Sequence, residues 1–458
     1  MRISLDFSKP RSKISMRSSL TFSFFFVTIL IITSSFLMIL TPHAYFYANA
    51  AYTKAVPAAA GPTISDPNLK AEVVFKGFHI PTSMAFLGPN GILVLEKNSG
   101  NVLRILDGNL IKKPLLHVNV ATQFLEWGLL GIAISKQANP GGNNSGQVHT
   151  YVFLYYTESG GKPGVAAGNH LYRYELVNGQ LTNPVDLLNL PSNAPDPLVE
   201  SNHNGGKVIL GPDNNIYVVI GDVGSHDGQA QNNRNGKKLD GTSGVLRITK
   251  DGQPVTPDPL GTLDPTRVYY AYGIRNSFGM DFDPVTGNLW DTENGPTYGD
   301  EINLVKPGFN SGWNHVQGIW QVSGSSPGPV AENPPQDLIN FDGRGVYRSP
   351  EFVWKQPVGP TALKFLNSDK LGKQYENTMF VGNVNTGDLY NFKLSENRTS
   401  LLLSSPLEGK VANSPEDVRS VIFGHGFGTI TDLEVGPDGF LYVLTFDGTI
   451  YRIVPITG

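Results

Sequence analysis

Three short polar clusters hold the side chains best suited to chemistry. The first, Glu200-Ser201-Asn202-His203-Asn204-Gly205-Gly206, stands immediately before the stretch VILGPDNNIYVVIGD. A loop histidine flanked by polar residues and glycines is placed for solvent or ligand, and its near-neutral titration makes it the usual general base. The second, Tyr272-Gly273-Ile274-Arg275-Asn276-Ser277-Phe278-Gly279, offers a planar cation with five donors, suited to a developing oxyanion or a polar ligand oxygen. Asn276 can hydrogen-bond a ligand or shape the turn. The third runs from Glu293-Asn294-Gly295-Pro296 through Asp300-Glu301 to Gly308-Phe309-Asn310-Ser311-Gly312-Trp313. Carboxylates, an amide and free carbonyls in a Gly/Pro loop are the hard oxygen ligands calcium prefers, although the acidic spacing is not that of an EF-hand. Each cluster also has a plainer reading: a structural loop histidine, a surface ion pair, a solvated acidic turn.

The elements that must position these clusters recur along the chain. MAFLGPNGILVLE (84–96), VILGPDNNIYVVIGD (208–222), MDFDPVTGNLWDTE (280–293) and LEVGPDGFLYVLT (433–445) each read as a hairpin, two apolar strands joined by a Gly/Pro/Asp/Asn turn. Looser copies lie at 129–157 and 362–383, making six. Repeats spread over the chain at this spacing suit four-stranded blades with insertions. The expected fold is all-β, a six-bladed β-propeller of four-stranded antiparallel blades over residues 66–458. The last strand, 448–454, and the segment 72–75 are expected to share a blade, because ring closure removes exposed edges. A propeller gathers loops of several blades at one channel mouth, so clusters distant in sequence can meet.

Composition agrees with many short strands and tight turns. Gly (51) and Pro (33) are abundant while charged residues are only 16% of the 458. Residues 1–50 differ: Arg2, Lys9, Arg11, Lys13 and Arg17 precede an apolar run from Leu20 to Leu40, and Ala48-Asn49-Ala50 follows. That order predicts a signal peptide or an N-terminal membrane anchor, with a linker at 51–65 and the remainder outside the cytoplasm, secreted or tethered to the outer face of the membrane. Removing the five basic and one acidic residues of 1–50 leaves 30 basic against 38 acidic, a net charge of −8 that argues against nucleic acid as a partner. Cysteine is absent, so neither disulfides nor cysteine-held haem or copper is available, and electrons from any oxidation pass to a separate acceptor.

Taken together and in order, the segment Gly128-Leu129-Leu130-Gly131, His203 before its Gly-Pro-Asp strand, Gly273-Ile274-Arg275-Asn276, Glu293-Asn294-Gly295-Pro296 with Gly299-Asp300-Glu301-Ile302-Asn303, and Gly308-Phe309-Asn310-Ser311-Gly312-Trp313 resemble the soluble glucose/sorbosone dehydrogenase family, quinoprotein propellers that include aldose sugar dehydrogenases. The resemblance covers roughly residues 70–450. It implies oxidation of the anomeric hydroxyl of an aldose sugar, with hydride passing to pyrroloquinoline quinone and His203 taking the proton. It further implies that Arg275 and Asn276 contact cofactor and substrate, and that Glu126 stands where the family often has a glutamine near the substrate. The Gly295 and Pro296 carbonyls would bind a calcium ion that polarises the quinone, and Asp300 and Glu301 match acidic positions associated with structural calcium. Where many members have Arg-x-Arg-Asp this chain reads Thr429-Ile430-Thr431-Asp432, and Val384-Asn385-Thr386 stands where a lysine is common. Two other readings compete: a non-catalytic, calcium-stabilised surface propeller that binds sugar or protein, and a hydrolase with a central metal, which the Gly-Pro carbonyls suit less well.

Overall fold

The computed structural model describes residues 61–138, 148–162, 164–261 and 266–456. The expected signal or anchor at 1–50, and residues 51–60 of the expected linker, lie outside them. Residues 61–65, read as linker, already belong to the fold, since Thr63–Ile64 pairs with Gly424–His425.

The structure is all-β. Its helical segments among the described residues are three short 3-10 turns. Six larger sheets follow one another along the chain, each opening with a hairpin that the sequence repeat marks. The first strands are Pro81–Gly88, Leu129–Ala138, Val208–Leu210, Ser277–Phe282, Pro360–Phe365 and Ile430–Val435. In each hairpin the expected halves face each other: Met84 opposite Val94, Ile132 opposite Leu154, Val208 opposite Val218, Met280 opposite Asp291, Leu363 opposite Val381 and Leu433 opposite Val443. A small three-stranded sheet, 316–330, is inserted between strands of the fourth. The sixth sheet is completed from the front of the chain, where Leu69–Lys76 pairs with Thr449–Pro455 and Glu72 faces Arg452.

Burial shows why these strands are apolar. The second strands Gly91–Glu96, Ile216–Ile220, Leu289–Glu293, Met379–Asn383 and Leu441–Thr445 are buried at every position. Strands covered on both faces read as continuous apolar runs rather than alternations. Ile92 and Val94 pack with Tyr442 and Leu444 of the sixth sheet, whereas Leu93 and Leu95 pack with Leu129 and Leu154 of the second. The same arrangement joins sheets two and three, three and four, four and five, and five and six. Each fully buried aliphatic side chain there contributes about 1.5–3 kcal/mol.

The repeat also fixes its turns. Asp213 accepts the Asn215 N–H and the Tyr217 hydroxyl, and Asp438 accepts the Phe440 N–H and the Tyr442 hydroxyl. A Cβ on Gly211 or Gly436 would lie 2.6 or 2.5 Å from the tyrosine ring, so both positions need glycine.

Charged side chains cross-link the first strands. Lys207 Nζ lies 2.7 Å from Asp432 and 3.4 Å from Glu434, and Lys364 lies 3.0 Å from Glu434 and 3.5 Å from Asp281. Asp432 also accepts Ser83 Oγ and the Met84 N–H, both at 2.9 Å. Five of the six first-strand segments are thereby tied by one ionic network. Burial pushes Asp432 and Asp281 above the usual carboxylate range, while Lys364 and Lys207 hold Glu434 below it despite burial.

Candidate functional site

In an antiparallel hairpin the start of the first strand and the end of the second lie at the same end. The segments before each first strand and after each second strand therefore share one face of the sheets. His203, Asp222, Arg275, Asn276 and Gly295 all sit there.

The backbone brings them close. Asp222 N–H donates to the Arg275 carbonyl at 2.9 Å, and Asn294 N–H to the Asn276 carbonyl at 2.7 Å. A Cβ on Gly221 would lie 2.4 Å from the Arg275 carbonyl and 2.6 Å from that of His203, so only glycine lets these segments meet. His203 itself has left-handed backbone, φ 68°, a conformation uncommon outside glycine and found at sites where surroundings over-determine it.

His203 Nδ1 lies 2.5 Å from Oδ1 of Asp222, which is fully buried. The other oxygen, Oδ2, accepts the Trp313 indole N–H at 2.8 Å. Burial raises the Asp222 carboxyl, but His203, then Arg275 and Trp313, outweigh it and hold the group below the usual range. An ionised Asp222 assigns the proton to Nδ1 and leaves Nε2 of a neutral ring as acceptor. Nε2 has no protein hydrogen-bond partner among the described residues, and the side chain keeps 19% of its surface accessible. Arg275 lies over the Trp313 ring at 5.5 Å and donates through Nη1 to the carbonyls of Asn294 and Gly295, both at 2.9 Å.

Glu126 joins the group from the segment before Leu129. It accepts the Asn204 N–H at 2.9 Å and the Asn276 side-chain amide at 3.2 and 3.3 Å. The Asn276 amide oxygen is buried and unpartnered, a cost of about 1–3 kcal/mol unless a ligand donor meets it. Lys97 stands beside Glu126; burial lowers its ammonium to about 8 while Glu126 opposes the shift. Its stem occupies the space a Cβ on Gly128 would fill, 2.6 Å from Lys97 Cγ.

The sequence clusters thus meet: His203, Arg275, Asn276, Glu126 and the Gly295 loop form one connected set, with Pro296 half-buried next in the chain. Sequence reading gave no role to Asp222, Trp313 or Lys97. A signal for Asp222 was present, because three of the four clear repeats end in an acid, Glu96, Asp222 and Glu293.

Asp300 and Glu301 are buried beneath this set and turned toward protein donors. Asp300 accepts the N–H groups of Gly295, Val358 and Gly359, and burial pushes it up to about 6. Glu301 accepts from Gln317, Gly318, Asn303 and Ser311, and burial raises it further. Among the described residues no group of three or more His, Asp or Glu is arranged to hold a metal ion. In this arrangement Asp300 braces the Gly-Pro loop against the 358–359 segment, and Glu301 holds Ser311 and the 317–318 segment. The Gly295 carbonyl expected to ligate calcium is engaged by Arg275, so these residues as placed do not fit the ion.

A quinone fits better at its reacting end, since the residues bearing the free His203 Nε2, the unpartnered Asn276 oxygen and the Arg275 guanidinium belong to one connected set. Its carboxylates would find few cations. Lys207 and Lys364 are committed to the carboxylates of the ionic network, and Thr429 and Thr431 donate to the Val384 and Leu444 carbonyls.

Known proteins resemble this chain at three levels: family, sequence and solved structure. Residues 78–452 match the family described as Glucose / Sorbosone dehydrogenase. The aldose sugar dehydrogenase YliI of Escherichia coli is 25% identical over 392 residues, 84% of this chain and 93% of that protein. The quinoprotein glucose dehydrogenase B of Acinetobacter calcoaceticus is 29% identical over 275 residues, 56% of this chain and 55% of that protein. Among solved structures, the apo-form soluble aldose sugar dehydrogenase of Escherichia coli superposes with a TM-score of 0.63 at 22% identity, covering 85% of this chain and all of that one. The PQQ-bound aldose sugar dehydrogenase of Streptomyces coelicolor gives 0.57 at 21% identity, covering 86% and 99%.

Proposed function

The chain belongs to the glucose/sorbosone dehydrogenase family, and from that premise we propose that it is an exported six-bladed propeller that oxidises the anomeric C–OH of aldose sugars with pyrroloquinoline quinone, passing electrons to a separate acceptor. The propeller reading is supported by the first strands, which neighbour one another in cyclic order from the first sheet to the sixth and back to the first. The export reading rests on the order of basic, apolar and small residues in 1–50.

The observation that carries the proposed reaction is the Asp222–His203 dyad, its Nε2 free and its carboxylate bonded to the Trp313 over which Arg275 lies. Asp222 holds the ring in the tautomer whose Nε2 accepts the proton of the sugar hydroxyl, and stabilises the imidazolium that results. Trp313 fixes the second Asp222 oxygen, so the carboxylate cannot rotate away from the ring. Arg275 presents fixed positive charge where negative charge develops on the sugar oxygen. Glu126, Asn276 and Lys97 offer donors and acceptors to the remaining hydroxyls. Pyrroloquinoline quinone, when bound, supplies the two-electron acceptor for the hydride. Calcium at the Gly295 and Pro296 carbonyls would have to share the Gly295 oxygen with the Arg275 guanidinium.

A second reading, a non-catalytic surface propeller binding sugar or protein, is favoured by threonines at 429 and 431 and by Lys207 and Lys364 being paired with protein carboxylates. One experiment separates the two. Purified protein lacking residues 1–50 is given the quinone, with and without calcium, and bleaching of an artificial electron acceptor is followed over a panel of aldoses. Sugar-dependent bleaching that requires the quinone supports the dehydrogenase; none with any sugar supports the binding protein.

A further inference from the structure

His226 takes no part in the proposed proton transfer, yet it stands four residues beyond Asp222 in a loop of unusual backbone. Val223 (φ 44°), Gly224 (66°), Ser225 (69°) and Asn232 (58°) are all left-handed. A fully buried, β-branched residue such as Val223 keeps a positive φ only where its surroundings impose it. His226 supplies three of those constraints. Its backbone N–H donates to the Asp222 carbonyl at 2.9 Å, its Nδ1 lies 2.9 Å from Asp240 Oδ2, and its Nε2 lies 2.9 Å from the Asn193 carbonyl.

The acceptors fix the ring's protonation. A carbonyl oxygen only accepts, so Nε2 carries a hydrogen. Asp240 also accepts the N–H and hydroxyl of Thr242 and is held below the usual carboxylate range, so it faces Nδ1 as an acceptor too. With both nitrogens donating, the ring is an imidazolium.

We propose that the His226 imidazolium is a positioning residue that clamps the loop behind Asp222 and so holds the Asp222–His203 dyad in register. The proposal rests on the dyad reading above. The charged groups facing the ring are Asp240, from the segment before Thr242, and Asp222, from its own segment; the 191–204 segment presents the Asn193 carbonyl. Burial disfavours the charged ring, but the Asp240 hydrogen bond, the Asn193 carbonyl and the charges of Asp240 and Asp222 outweigh it and raise its pKa above the ordinary 6.5. A group raised in this way keeps its clamp intact below 6.5 and loses it as pH climbs through the raised value.

The test pairs an NMR titration of ring-labelled histidines with steady-state kinetics on the protein, His226→Gln and Asp240→Asn. The His226 ring is expected to titrate above 6.5, and the same transition is expected to move the His203 ring signals. Sugar kcat is expected to fall about tenfold on the alkaline side with that midpoint, while KM at each pH is the same in the parent and His226→Gln, because a small misplacement of the base costs turnover rather than binding. Asp240→Asn shifts the midpoint down. His226→Gln has the lowered kcat at every pH and no alkaline fall, a signature that simple loss of stability does not produce. Titration of His226 at or below 6.5 overturns the proposal, as does a His203 ring blind to it or unchanged kcat in His226→Gln. If the NMR result holds but the parent oxidises no sugar, the dehydrogenase reading fails and the clamp stands.

Discussion

Asp222→Asn perturbs the dyad at nearly constant shape, and the structure fixes what the amide must do. Two donors face the two carboxylate oxygens, the Trp313 indole N–H at 2.8 Å and His203 Nδ1 at 2.5 Å. An asparagine brings one oxygen and one NH2 group. The indole can only donate, so it takes the oxygen, and the NH2 is left facing Nδ1. The ring must then accept at Nδ1 and carry its proton on Nε2, the nitrogen that has to receive the sugar's proton. Wrong-tautomer substitutions of this kind cost about 10⁴-fold in a Ser-His-Asp site, and we expect a loss of about 10³–10⁴-fold in kcat, or about 4–5.5 kcal/mol of barrier. KM should change little, because Asp222 is buried away from the substrate side. The fold should survive, since the substitution weakens one charge-assisted hydrogen bond of about 1.5–3 kcal/mol. The assay is acceptor bleaching under saturating sugar and quinone, with urea unfolding as control. A well-folded Asp222→Asn within about threefold of the parent would refute the dyad as the proton-accepting unit.

Three further predictions concern charge. Lys207→Met leaves Asp432 buried without its cation and should cost about 3–5 kcal/mol in urea unfolding, part of it recovered by adding Asp432→Asn; a cost below about 1 kcal/mol would show that the network does not hold the first strands. Arg398 bonds both oxygens of buried Asp283 at 2.6 and 2.7 Å, so Arg398→Ala should cost about 3–5 kcal/mol at neutral pH. Asp283 is depressed below 3.8 by Arg398 and neighbouring donors against the opposing effect of burial, so the parent's advantage is full above that pH and shrinks as pH falls through the lower value; an advantage independent of acid would contradict this. Lys97 loses its ammonium above about pH 8, so the parent's sugar KM should rise there while that of Lys97→Met stays flat, a difference read from KM–pH profiles.

Much of this architecture was written in local pattern. The six hairpins could be read because their turns need particular residues, Gly211 and Gly436 against tyrosine rings and Asp213 and Asp438 to accept the following N–H. His203, Arg275 and Asn276 were legible because each interrupts an apolar strand pattern with polar residues and glycine, whereas Glu126 came only from the family resemblance. What binds them to one another was not. Asp222 looks like the end of a strand, and its value depends on Gly221 letting two distant backbones meet. Lys97 and His226 acquire meaning only through Glu126 and through Asn193 with Asp240, contacts that no spacing in the chain announces. The calcium expectation rests on a Gly-Pro-acid loop that advertises oxygen ligands, and only the fold shows that Asp300, Glu301 and the Gly295 carbonyl already accept from protein donors.

The central claim is that His203 takes the proton as the sugar is oxidised, and a single-turnover experiment addresses it directly. The quinone-loaded protein and its His203→Ala variant, matched for quinone content and for urea stability, are mixed with an aldose without electron acceptor, and reduction of the bound quinone is followed by absorbance. The account predicts reduction in the parent and a rate at least about 10²-fold slower in His203→Ala. Equal rates in the two proteins, or no reduction in a fully loaded parent, would contradict it.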